Sequence, residues 1–148
     1  MPEINKTLLV PYSAEQMYNV VNHVQEYPEF LPWCEDTVII ERSDVKQVAS
    51  IILAWSGLRK KFTTKNIMTP NKEIILELVD GPFSEFLGDW KFQNLGDIGS
   101  KVIFKLNFNF STGILDLAFN KVFTKISEDM VDAFYKRAIH VYGEVELD

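Results

Sequence analysis

Apolar and polar positions alternate most cleanly between residues 101 and 110, where Val102, Phe104, Leu106, Phe108 and Phe110 interleave with Lys101, Ile103, Lys105, Asn107 and Asn109. A period of two is that of a strand with one buried face, and this face is mostly aromatic. Weaker alternation between turn signals marks five earlier strands: Thr37 to Arg42, Gln47 to Trp55, Leu58 to Met68, Glu73 to Val79 and Trp90 to Leu95. The connections are short, which implies an antiparallel meander. Ile4 to Val10 reads as a further strand, ended by Pro11.

Two short helical segments lie between that first strand and the meander. Ser13-Ala14-Glu15-Gln16 is a capping box, and Tyr12 with Met17 forms the matching hydrophobic staple. Tyr27 to Trp33 reads as one helical turn, with Pro28 at a first helical position and Pro32 disfavouring helix at Leu31. From Ile114 to Tyr142 the period becomes helical, with Leu115, Phe119, Val122, Ile126, Met130 and Ala133 on one stripe. Gly143 is the expected stop, and Lys136, Arg137 and His140 oppose the negative end of the helix dipole. Such a helix spans about 42 Å, longer than any strand here. The pattern therefore predicts an α+β domain over residues 1–148, a curved seven-stranded antiparallel sheet wrapped around a long C-terminal helix.

With 148 residues and no linker or low-complexity tract, the chain reads as one domain. The formal net charge of -6 disfavours nucleic acid and anionic lipid except at a local basic patch. Cys34 is the sole cysteine, so no internal disulfide is available and a reducing, cytoplasmic setting is expected. No apolar run reaches the roughly 20 residues of a membrane span, which leaves peripheral contact with a membrane, such as a bacterial inner membrane, as the form any association would take. Eleven phenylalanines among 47% hydrophobic residues fit either a solid aromatic core or the lining of a cavity.

The chemistry-bearing residues are sparse. His23 and His140 stand in no metal-binding spacing, and the sequence has no nucleophile elbow, phosphate loop or dinucleotide fingerprint. Cys34 beside Glu35 and Asp36 is a poor nucleophile, since nearby carboxylates raise a thiol pKa. Neither a catalytic constellation nor a required cofactor is expected. Arg59, Lys61 and Lys65 share one face of a strand opposite Leu58, Phe62 and Met68. That stripe is either ordinary solvated surface or an anchor for ribosomal RNA or anionic head groups.

Val10-Pro11-Tyr12-Ser13-Ala14-Glu15-Gln16-Met17-Tyr18 and Tyr27-Pro28-Glu29-Phe30-Leu31-Pro32-Trp33-Cys34 closely resemble the N-terminal signature of the coenzyme Q-binding and ribosome-association-toxin branch of the START-like, helix-grip superfamily. Asp80-Gly81-Pro82-Phe83 and Leu87-Gly88-Asp89-Trp90-Lys91-Phe92 resemble its second signature, Gly81, Pro82 and Gly88 shaping the turn into the fifth meander strand and a bulge near its start. The resemblance implies a cavity between sheet and last helix, closed at one end by loops and the short second helix. It implies two activities: a non-enzymatic carrier of ubiquinone or a related isoprenoid supporting respiratory electron transfer, or a toxin that binds the large ribosomal subunit and blocks subunit association. Some superfamily relatives are cyclases. On the carrier reading, Tyr27, Phe30 and Trp33 form a lid or a satellite core, and the wall comprises Phe62, Trp90, Phe92, Phe104, Phe108, Phe119, Phe123, Ile126 and Met130. A cavity of roughly 300 Å³ or more is what that reading requires.

Overall fold

The computed structural model describes residues 3–55, 57–111 and 117–145, the side chains of 117–119 excepted. Strand β1 (Glu3–Val10) leads to α1 (Ala14–Asn22), a 3-10 turn at Val24–Glu26 and the short α2 (Tyr27–Phe30). Six strands follow: β2 (Cys34–Arg42), β3 (Lys46–Trp55), β4 (Leu58–Thr69), β5 (Glu73–Asp80), β6 (Phe83–Asn94) and β7 (Ser100–Phe110). Helix α3 (Leu117–Tyr142) completes the described elements. All pairings are antiparallel in the order β1-β7-β6-β5-β4-β3-β2, so β1 and β2 are the edges of a seven-stranded sheet.

The N-terminal capping box is formed, Gln16 N–H donating to Ser13 Oγ at 3.1 Å and Ser13 N–H to Gln16 Oε1 at 2.9 Å. The staple residues Tyr12 and Met17 are both buried. Helix α3 ends at Gly143, whose φ of +86° needs no Cβ and whose N–H returns to the Ile139 carbonyl at 2.8 Å. Its expected start at 114–116 lies outside the described residues.

Three expectations change. Strand β6 begins at Phe83, seven residues ahead of the expected Trp90, because a register shift between Phe83 and Glu85 breaks the alternation that sequence reading depends on. A similar shift between Cys34 and Asp36 hid the start of β2. The buried stripe of α3 is rotated by about one position: Phe123, Ser127, Val131, Phe134 and Ala138 are deepest, while Val122, Met130 and Ala133 are only partly covered. Ser127 conceals that stripe in the sequence, since a hydroxyl reads as a surface position.

Helix α3 approaches the sheet most closely at β1 and β7 and is braced there by α1. On the far side, α2 packs against β2. Gly99 permits the β1 side to close: at φ +153°, a Cβ on it would lie 2.0 Å from the Val10 carbonyl oxygen. Gly96, φ +59°, has open space around it. Gly99→Ala should therefore cost about 2–3 kcal/mol in urea unfolding, while Gly96→Ala should cost about 1 kcal/mol. Equal losses would show that backbone conformation alone, not the approach to β1, sets the cost.

Candidate functional site

The space between sheet and last helix is mostly filled by rings. Trp90 of β6 stacks on Phe104 of β7, centroids 4.3 Å apart, and meets Phe134 of α3 edge-on at 5.3 Å. Phe123 of α3 packs against Phe83 and Phe108, each at 5.0 Å. What remains is a chamber of about 70 Å³, well short of the volume the carrier reading requires. The residue types were read correctly as apolar, but their rings turn toward one another and fill the space they border.

Tyr27, Trp33, Phe62, Trp90, Phe104, Phe123, Ile126 and Met130 do face this chamber. Phe92 does not; it stacks beside Trp90 and meets Tyr18 at 5.8 Å. Phe108 does not either, being fully buried in the cluster of Phe83, Phe110 and Phe123. Phe119 lies outside the described side chains. Gly88 lies mid-strand, away from the turn and bulge to which its sequence neighbours point; a Cβ there would sit 3.0 Å from Leu76 Cδ1 and 3.3 Å from Leu106 Cδ1, two chamber-wall residues.

A larger void lies outside. An open groove of about 880 Å³ runs between α3 on one side and Phe30 to Trp33 and Trp55 on the other. Trp33, Ile126 and Met130 border both spaces, so these side chains are the partition between groove and chamber. The groove has an apolar floor and a charged rim that includes Lys121, Lys125, Asp129, Asp132, Lys136 and His140.

Two residues to which sequence reading gave no part in the site organise this end. Arg137, expected at the helix dipole, instead lies with its guanidinium carbon 4.8 Å from the Phe30 ring centre, and Nη2 is 3.5 Å from carboxylate oxygens of both Glu26 and Glu29. Its side chain is only 12% exposed, so it clamps the α2 region onto α3. The signal was its position three residues after Phe134, on the buried side of the helix. Trp55, at the end of β3, stands 44% exposed on the groove.

The ionisable groups of the interior are silent. The Tyr27 hydroxyl donates to the Val21 carbonyl, and burial pushes its pKa upward. Burial pushes the Cys34 thiol up to about 12, the Asp36 charge adding to the effect. Among the described residues no group of three or more His, Cys, Asp or Glu is placed to hold a metal. On the outer face of β4, Arg59 and Lys61 are exposed and Lys65 is half-buried, facing Glu77 across the strands. Arg59 Nε bonds the Glu35 carboxylate at 2.6 Å, tying this strand to the residue two after Trp33.

Two outcomes follow from this geometry. Arg137→Ala should destabilise by about 1–2 kcal/mol and speed hydrogen exchange at Tyr27 to Leu31, while Arg137→Lys should restore only part because it loses the planar stacking over Phe30. Unchanged exchange in Arg137→Ala would show that α2 is held without the clamp. Native protein at pH 8 should leave Cys34 unmodified by a thiol reagent over the time in which the urea-unfolded chain reacts fully.

The comparisons with known proteins agree with this architecture. Residues 10–135 match the family described as polyketide cyclase / dehydrase and lipid transport. The ribosome association toxin RatA of Escherichia coli strain K12 is 45% identical over 143 residues, covering 97% of this chain and 90% of that protein. The mitochondrial coenzyme Q-binding protein COQ10 of Drosophila melanogaster is 29% identical over 133 residues, covering 87% of this chain and 55% of that protein. A START superfamily protein from Mycobacterium smegmatis superposes with a TM-score of 0.77 at 19% identity, over 94% of this chain and 98% of that one. A curved antiparallel sheet closed by a C-terminal helix, together with a family match that spans most of the sequence, places this chain in the polyketide cyclase/dehydrase and lipid transport family with a START-like fold.

Proposed function

We propose that this protein is a non-enzymatic regulator that binds the large ribosomal subunit and opposes subunit association. The observation that carries this reading is where cations gather on an acidic chain. The exposed Trp55 shares the groove with Lys121, Lys125 and Lys136 of its rim, and Arg59 and Lys61 stand exposed on the outer face of the adjoining strand, within a net charge of -6. An exposed tryptophan flanked by cations suits RNA, which offers unstacked bases and a phosphate backbone. The Arg59–Glu35 pair is exposed, so exchanging Glu35 for a phosphate costs little. The similarity to a protein named as a ribosome association toxin, over nearly the whole chain, supports the same partner.

The protein works by occupying a surface, which requires no reaction and no bound group. No helix among the described residues is long and apolar enough to cross a membrane. A carrier of ubiquinone is the second reading, favoured by the apolar wall of the chamber and by the likeness to a coenzyme Q-binding protein. At about 70 Å³ the chamber is smaller than the roughly 150 Å³ void that admits benzene, so a quinone ring enters only if the partition of Trp33, Ile126 and Met130 moves.

Co-sedimentation with purified large subunits separates the readings. Changing Arg59, Lys61 and Lys65 together to Ser should leave stability within about 0.5 kcal/mol per site and weaken subunit binding about 10-fold or more. Trp55→Ala should weaken it by about 1–3 kcal/mol, the worth of one stacked base. If both variants sediment as the parent does, while ubiquinone quenches Trp33 and Trp90 fluorescence at stoichiometric amounts, the carrier reading replaces the ribosomal one.

A further inference from the structure

A sheet that does not close has two edges, and each edge strand offers backbone N–H and C=O groups to any strand that meets it. The two edges here are finished differently. Midway along β1 the exposed side chains are Asn5, Lys6 and Thr7, and Lys6 shares the inward row of Phe104. A charge pointing inward on an edge strand discourages pairing. Midway along β2 stand Val38, 49% exposed, and Ile40, 61% exposed, with Val45 of the connection to β3 at 57%. Among the described residues β3 is the one strand paired with β2.

The charges along β2 state what would pair with it. Register shifts at Cys34/Asp36 and Ile39/Glu41 bracket a regular stretch centred on Val38, with carboxylates at both ends. Glu35 and Glu41 hold Arg59 and Lys46 at 2.6 and 3.2 Å, whereas Asp36 forms no ion pair among the described residues. Its carboxylate instead accepts the Thr37 N–H at 2.8 Å. A strand added at this edge would take that N–H and release the carboxylate, which then needs a cation. A second copy does not supply one. Antiparallel pairing of two β2 strands about Val38 sets Glu35 opposite Glu41 and Asp36 opposite Ile40. Pairing about Ile39 sets Asp36 opposite Arg42, but Arg42 lies on the inward row of the buried Gln47 and Asp36 on the outward row of Ile52.

We propose that the free edge of β2 is a docking site for an extended cationic segment of a partner protein, which joins the sheet as an eighth strand. Its backbone pairs beside Thr37 and Ile39, and its apolar side chains cover Val38 and Ile40. Its lysines or arginines meet Asp36, Glu35 and Glu41. No residue of β2 borders the groove beside Trp55, so this site does not depend on ribosome binding.

Fluorescence anisotropy of the full chain with a labelled heptapeptide, Lys-Val-Thr-Val-Thr-Lys-Lys, tests it. The peptide should bind saturably below ~1 mM. Exchanging its lysines for glutamates should weaken binding about 10-fold or more, and so should N-methylation of both threonines, which removes pairing donors and keeps the charge. Val38→Lys should abolish binding and leave the fold intact, since the side chain is exposed. Asp36→Asn keeps an acceptor for the Thr37 N–H and should weaken binding about 5-fold. Equal affinity for the N-methylated peptide would reduce the contact to charge alone and overturn strand addition. No saturable binding, or parental affinity in Val38→Lys, would overturn it as well. Self-association of the chain in sedimentation velocity, lost in Val38→Lys, would give the edge to a second copy instead.

Discussion

Phe134 is where three parts of this protein meet. Its ring, 1% exposed, lies 5.2 Å from Tyr27, 5.6 Å from Phe30 and 5.3 Å from Trp90, so one side chain of α3 joins the short helix to the sheet. Trp90 in turn stacks on Phe104, which carries the contact across to β7. Edge-on and stacked aromatic pairs each contribute about 0.5–1.5 kcal/mol beyond the area they bury, and truncating a buried Phe costs about 3–5 kcal/mol. Removing this ring would free α2, open the partition and leave α3 attached mainly along β1, β7 and α1. The contracted chamber and the open groove are two results of the same packing, since pulling α3 onto Trp90 and Phe104 closes the interior and leaves the β3 side uncovered.

Much of this was legible in the sequence. The alternation from Val102 to Phe110 fixed β7 and its inward face, and the capping box from Ser13 to Gln16 fixed the start of α1. Both are local signals that tertiary packing did not override. The first half of β6 was hidden because a bulge puts Phe83 and Phe86 three residues apart with Gly88 soon after. The buried face of α3 was displaced because Ser127 and Arg137, polar by type, stand on the inner side with Phe123, Val131 and Phe134.

The candidate site was legible as composition and not as shape. Which aromatic residues surround the interior followed from strand and helix periods, but the same residues build a hollow or a solid core. Ring orientation decides between them, and orientation depends on neighbours distant in sequence, such as Trp90 with Phe104 and Phe134. The basic stripe of the outer face was visible as Arg59, Lys61 and Lys65, whereas Trp55, Lys121 and Lys125 come together only because the β3–β4 hairpin end and α3 form opposite sides of one groove. A surface built from two remote segments leaves no local pattern to read.

The central claim is that cations around Trp55, on a chain whose net charge opposes it, dock onto ribosomal RNA. The dependence of affinity on salt measures this directly. With purified large subunits, log K against log salt concentration should fall with a slope of about -2 to -3, the release of counterions from three or four phosphates, and small subunits should bind far more weakly. A slope near zero, or equal affinity for both subunits, would contradict it.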